Sequence, residues 1–282
     1  MICLFCKQDS SQSKSVEHII PESLGNTLHI LPVGLVCDGC NNYFAIKVEK
    51  ILLEQSYFKS LRHRNEIVSK KGKLVPERGI IPHADGGIVD VLKQGPSIMV
   101  NVSNNKLFKL ISDKKVNSLI IPKGEAEPFT DNEILSRFLA KAAIEALMHR
   151  LIDHDGWIDE IMNKVELDDI KQYARFGGKF WPYSQRKIYN EEDMFFNTRE
   201  NAGPYQVLHE FDFLWTKELE CYFVLAIMGI EYAINVGGPS IESYTTWLQE
   251  NNHQSTLIAK DTIRIESEIT KPEYISLYTD SH

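Results

Sequence analysis

Two Cys-x-x-Cys pairs, Cys3/Cys6 and Cys37/Cys40, dominate the first forty residues of this 282-residue chain. A two-residue spacer makes a tight turn that aims both thiolates, and nearby backbone N–H groups, at one soft cation. Each pair supplies half of a tetrahedron, so the four together read as a structural Zn²⁺ site. Packing as small hydrophobes or a redox pair would use the same residues. Against both, Asp38-Gly39 is turn chemistry inside the second pair and Gln8-Asp9-Ser10-Ser11 leads away from the first as loop. Cys3 follows Met1 so closely that a secretory leader has no room, so the chain reads as cytoplasmic, where disulfides are disfavoured. The fifth cysteine, Cys221, sits in the apolar run Tyr222–Leu225 and reads as a core thiol.

The pairs frame Glu17-His18-Ile19-Ile20-Pro21 and run directly into Asn41. Glu17 and Asn41 offer hard oxygen ligands of the kind a Mg²⁺-type ion takes. His18 is the side chain whose ordinary pKa lets it accept a proton from water near neutrality. Adjacent strand residues point to opposite faces, so Glu17 and His18 divide the labour, one towards a metal and the other towards a water nucleophile. Taken singly, His18 reads as a hydrogen-bonded strand residue and Asn41 as a helix N-cap. Their joint placement around the cysteines gives them a chemical reading.

In this order and spacing the elements resemble the zinc-stapled branch of the HNH endonuclease family. The resemblance covers about residues 1–55 and implies a ββα-metal, treble-clef-like fold, with a hairpin carrying the His and a helix carrying the last ligand. By position, His18 corresponds to the family's general base. Glu17 and Asn41 correspond to the ligands of the catalytic Mg²⁺ or Mn²⁺. The family's middle Asn falls on Pro32 here; Asn26 and His29 are the neighbours able to fix the hairpin loop, though neither matches by spacing. Glu17 also stands where Asp is commoner, which lengthens the reach to the ion.

The expected fold is α+β: an HNH module over residues 1–65, then a mixed α+β accessory domain over 76–282, with the polar turn Lys70–Lys73 between them. A helix is expected from Tyr43 to Leu61, interleaved with Lys47, Lys50, Lys59, Arg62, His63 and Arg64 as phosphate contacts. Short strands are expected at Gly87–Leu92, Ser97–Val102, Lys106–Ile111 and Ser118–Ile121. A helix opened by a Thr130-x-x-Glu133 capping box follows. Later come helical segments to Phe176, strands over Tyr205–Trp215 and Glu220–Val236, and a last helix at Ser240–Glu250.

Charge narrows the function classes. The net charge of −8 excludes a general nucleic-acid coat. It is unevenly spread: residues 1–75 hold ten Lys/Arg against seven Asp/Glu, and the remainder 21 against 32. The leading expectation is a metal-dependent endonuclease hydrolysing DNA phosphodiesters, RNA being the lesser substrate. A protein partner or oligomer through the C-terminal domain is expected, and no membrane. The alternative is a non-catalytic zinc module that binds nucleic acid or protein.

Overall fold

The computed structural model describes residues 1–122, 124–125, 127–154, 156–198, 203–257, 262–267 and 275–276. It is a mixed α+β structure. The chain opens with a two-stranded hairpin, β1 (Glu17–His18) and β2 (Ile30–Leu31), paired antiparallel as Glu17↔Leu31 and His18↔Ile30. Helix α1 (Asp38–Phe44) follows, capped by the Cys37 side chain, which accepts from the Cys40 N–H. A wider π-type turn over Ala45–Glu49 leads to α2 (Lys50–Glu54) and then α3 (Ser56–Arg64). The expected helix over 43–61 is therefore widened over Ala45–Glu49 and broken once, at Gln55, whose backbone is extended. In α3, Arg62 and His63 are buried, with His63 Nδ1 2.9 Å from the Val75 carbonyl, so they are not a solvated phosphate-binding face.

Three strands, β3 (Glu77–Ile81), β4 (Gly87–Gln94) and β5 (Ser97–Asn101), form an antiparallel meander. Residues 105–112 are not a strand but helix α4 (Asn105–Ser112). Leu107, Leu110 and Ile111 recur at helical spacing, and the Asn104 side chain caps the first turn. Strand β6 (Ser118–Leu119) follows, then the long helix α5 (Glu133–Leu151), α6 (Trp157–Asn163) and α7 (Asp168–Phe176). The α5 cap is Asn132, accepting from the Leu135 N–H at 3.1 Å, in place of the expected Thr130. Next come β7 (Tyr183–Lys187), β8 (Met194–Asn197), β9 (His209–Trp215), β10 (Cys221–Ile227), β11 (Ile230–Asn235), α8 (Glu242–Glu250), β12 (Thr262–Ile265) and β13 (Ile275–Ser276).

Contacts divide the chain into two compact units: residues 1–52 with 129–267, and residues 53–128 with 268–282. This cut differs from the sequence-based division into 1–65 and 76–282. The polar stretch 70–73 lies inside the second unit, where Ser69 N–H donates to the Lys73 carbonyl and closes a turn.

In the first unit, four antiparallel strands run in the order β7-β11-β10-β9. The β10–β11 hairpin turns through Met228 and Gly229, both at positive φ, the conformation a two-residue hairpin loop needs. A Cβ at Gly229 would also lie 2.2 Å from the Tyr189 carbonyl oxygen. Tyr222, Val224, Ala226 and Ala233 pack under Tyr244 and Leu248 of α8. Helix α5 packs against β11, α7 and β2. It is buried almost all round, including Ser136, Arg137, Lys141 and Glu145. In the second unit, Ile81, Val89, Val91, Leu107, Val116 and Leu119 form a separate core.

Candidate metal and catalytic centre

The four cysteines come together first. Their Sγ atoms all lie within 4.8 Å of one another. With Zn–S bonds of about 2.3 Å, sulfurs at the corners of a tetrahedron sit about 3.8 Å apart. Cys6 Sγ and Cys37 Sγ are 3.7 Å apart. Backbone N–H groups point at the sulfurs as the knuckle geometry requires: Cys37 N to Cys3 Sγ at 3.3 Å and Cys40 N to Cys37 Sγ at 3.4 Å. The Cys40 side chain, aided by the Cys6, Cys37 and Phe5 amides, draws the Cys3 thiol down, while the same contact and burial push Cys40 up. A metal takes such thiols as thiolates. Around the sulfurs, Phe5 meets Phe44 edge-on at 4.6 Å, and Leu4 N–H donates to the Leu35 carbonyl at 2.8 Å.

Second-pair residues also tie down the approach to β1. Asp38 accepts from the amides of Lys14 and Ser15 at 3.0 and 2.8 Å and from the Ser15 hydroxyl. One turn along α1, Asn41 Nδ2 donates to the Val16 carbonyl at 2.9 Å. Asn41 is thus a residue of the helix, not its N-cap, and its amide is anchored to the residue before Glu17.

The hairpin places Glu17 and His18 on opposite faces. Glu17 pairs with buried Leu31 and is 5% exposed. His18 is half-buried and pairs with Ile30, which is 41% exposed. The loop joining the strands is held by Asn26, which is fully buried. Its Nδ2 donates to the carbonyls of Ile20 (2.7 Å) and His29 (2.9 Å). Its Oδ1 accepts from the amides of Leu28 (3.0 Å) and His29 (2.9 Å). One side chain therefore satisfies four backbone groups, and the loop-fixing task falls to Asn26. Pro32, at the family spacing, has no side-chain donor or acceptor to offer.

Glu17 has company that the motif does not announce. Lys141 of α5, fully buried, places Nζ 2.7 Å from Glu17 Oε1, 2.7 Å from Glu49 Oε1 and 3.1 Å from Glu145 Oε2. It also donates to the His18 carbonyl at 2.8 Å. Burial opposes the charge of Lys141, but Glu145, Glu17 and Glu49 outweigh it and hold the ammonium well above its ordinary pKa. Burial also pushes Glu145 well up and raises Glu17, against the pull of Lys141. Glu17 Oε2 is buried without a hydrogen-bond partner.

The geometry meets a known family at one end of the chain. Residues 3–56 match the HNH endonuclease family model. No curated protein and no solved structure matches the chain. The HNH segment contains all four cysteines, Glu17, His18, Asn26, Asn41 and Glu49, whereas Lys141 and Glu145 lie outside it. Among the described residues, no helix is long and apolar enough to cross a membrane.

Sequence reasoning missed the Lys141 cluster. The signal was present: Arg137, Lys141 and Glu145 recur every four residues within an otherwise apolar helix. Such a stripe ordinarily reads as the solvated face. Here Arg137 instead donates to the carbonyls of Ala174 and Arg175 and to Tyr43 Oη, while Lys141 meets Glu17 and Glu49.

Proposed function

We propose that the chain is a metal-dependent HNH endonuclease that hydrolyses DNA phosphodiester bonds, with the α+β remainder of the chain as its accessory region. The observation that carries this reading is the HNH-family match over residues 3–56, with the four-thiol cluster framing Glu17, His18 and Asn41. The cysteines hold structural Zn²⁺. Glu17 and Asn41 hold the catalytic Mg²⁺ or Mn²⁺; the unpartnered Glu17 Oε2 and the anchoring of Asn41 beside Val16 support that assignment. A divalent ion there supplies charge stabilisation for the phosphate and the leaving oxygen.

The residues of the chain do the rest. His18, on the outward face of β1, takes a proton on an imidazole nitrogen from the attacking water. The water oxygen bonds to phosphorus, the ester oxygen departs and is protonated by solvent, and the imidazolium returns its proton to bulk. Asn26 keeps the hairpin loop closed so that His18 stays at its place on β1. Lys14, Lys47 and Lys50 are exposed on the same segment and offer phosphate contacts that carry no base information.

The test is cleavage of supercoiled plasmid with Mg²⁺ or Mn²⁺, comparing wild type with His18→Ala. Metal-dependent nicking by wild type, reduced by about 10²–10⁴-fold in the variant, supports the reading. Equal silence from both, with zinc retained, makes the chain a zinc module that binds without cutting. A parallel RNA substrate distinguishes the two nucleic acids.

A further inference from the structure

The Lys141 cluster has an imbalance that a simple salt bridge does not explain. One ammonium, with three N–H donors, faces three carboxyl groups and a backbone carbonyl. Lys141 is buried completely and held by partners on β1, α5 and the turn after α1, so it has no freedom to swing aside. It touches the side chain of Glu17 and the main chain of His18 together. Glu17 Oε1 is engaged by Lys141 and Oε2 has no hydrogen-bond partner. Glu145, on the same ammonium, is also buried without a hydrogen-bond partner, so what sets Glu17 apart is its place on β1 beside His18.

We infer that Lys141 is a positioning residue for the catalytic centre: its ammonium locks one oxygen of Glu17 and the His18 carbonyl, leaving the other Glu17 oxygen to a divalent cation. This rests on Glu17 being a metal ligand, as proposed above. Glu49 and Glu145 give the arrangement its sense. A lone Lys–Glu pair would cancel the ligand's charge and weaken its hold on a metal. With two further carboxyls against the same ammonium, Lys141 is shared among three partners and does not belong to Glu17 alone. The segment that matches the HNH family is thus completed by Lys141, which lies 85 residues beyond its end.

The experiment uses the full chain, loaded with zinc, and reads Mn²⁺ binding by loss of the free-ion electron paramagnetic resonance signal. Wild type is compared with Lys141→Met/Glu145→Leu, which removes the cation together with one buried carboxyl so that the helix can still pack. Losing a residue that orients a ligand typically costs 10–100-fold in metal affinity. The expected result is a half-saturating Mn²⁺ concentration raised by about that factor, with zinc content and circular dichroism unchanged. A folded variant that binds Mn²⁺ as wild type does overturns the role of Lys141 while leaving the metal centre standing. Wild type that binds no Mn²⁺ overturns the metal reading of Glu17 and the inference with it. If the variant does not fold, a wild-type crystal soaked in Mn²⁺ decides: anomalous density at Glu17 Oε2 with Oε1 still on Lys141 supports the inference. Density held by both Glu17 oxygens, or away from Glu17, overturns it.

Discussion

The two ends of the HNH segment are built on different plans. At the sulfur end, four like residues close a site among themselves; every donor lies within residues 3–40 and the spacing alone sets the geometry. At the carboxylate end, Glu17 is held by Lys141, a residue 124 positions further along the chain and outside the segment that matches the family. A local motif can name residues, but how a buried carboxyl is paired and oriented depends on what the rest of the chain packs against it.

The largest expected effect tests the sulfur end. Cys40→Ser, or stripping the metal with a strong chelator, should unfold the segment, because structural zinc binding of about 10–16 kcal/mol is folding energy in such sites. Loss of circular dichroism together with loss of zinc would show it. A folded, zinc-free protein would mean that the hairpin and α5 hold the segment unaided, and the contrast between the ends would collapse.

Next comes Asn26→Ala. It strands the Ile20 and His29 carbonyls and the Leu28 and His29 amides in a buried loop. The expected loss is about 2–4 kcal/mol of unfolding free energy, read from denaturant titration. Zinc content should hold, since the loop lies on the hairpin and not in either knuckle. A loss below about 0.5 kcal/mol would mean that water replaces the Asn26 amide.

The smallest effect concerns the inner side of the hairpin. His29 lies 5.7 Å from the His209 ring, 6.0 Å from the His149 ring and 4.8 Å from Phe211. Burial, with repulsion from His29, holds His209 down at about 4. Its folded pKa is below the unfolded value near 6.5, so between the two the unfolded chain binds more protons. The stability this contributes is present above about pH 6.5 and is lost as pH falls towards 4, on the order of 2–3 kcal/mol. His209→Gln should flatten that part of the stability–pH curve. An unchanged slope would assign the acid sensitivity to other groups.

Much of this was legible in the residues. The Cys₄ cluster follows from short-range spacing and turn chemistry, which need no distant partner, and the β1–β2 hairpin and the helix carrying Asn41 are what the HNH resemblance implies. The long helix at 133–151 and the strands at 209–235 announce themselves by apolar pattern. The failures share a cause. Arg62 and His63 looked like phosphate contacts, and Lys106–Ile111 looked like a strand, because charge and hydropathy do not say which face is covered. Asn26 could be singled out as able to hold the loop, but its spacing did not decide it over His29; the path of the backbone between Ile20 and His29 did.

The sequence by itself determined the four-cysteine cluster, the order of motif residues and the mixed α+β character, since these depend on neighbours a few bonds or a few turns away. Only the tertiary structure decided that residues 1–52 fold with 129–267 and that the polar stripe of α5 turns inward. It alone brought Lys141 to Glu17. The physical reason is that a buried charge is tolerable only beside its partners, and those partners are found by packing across the chain rather than by spacing along it.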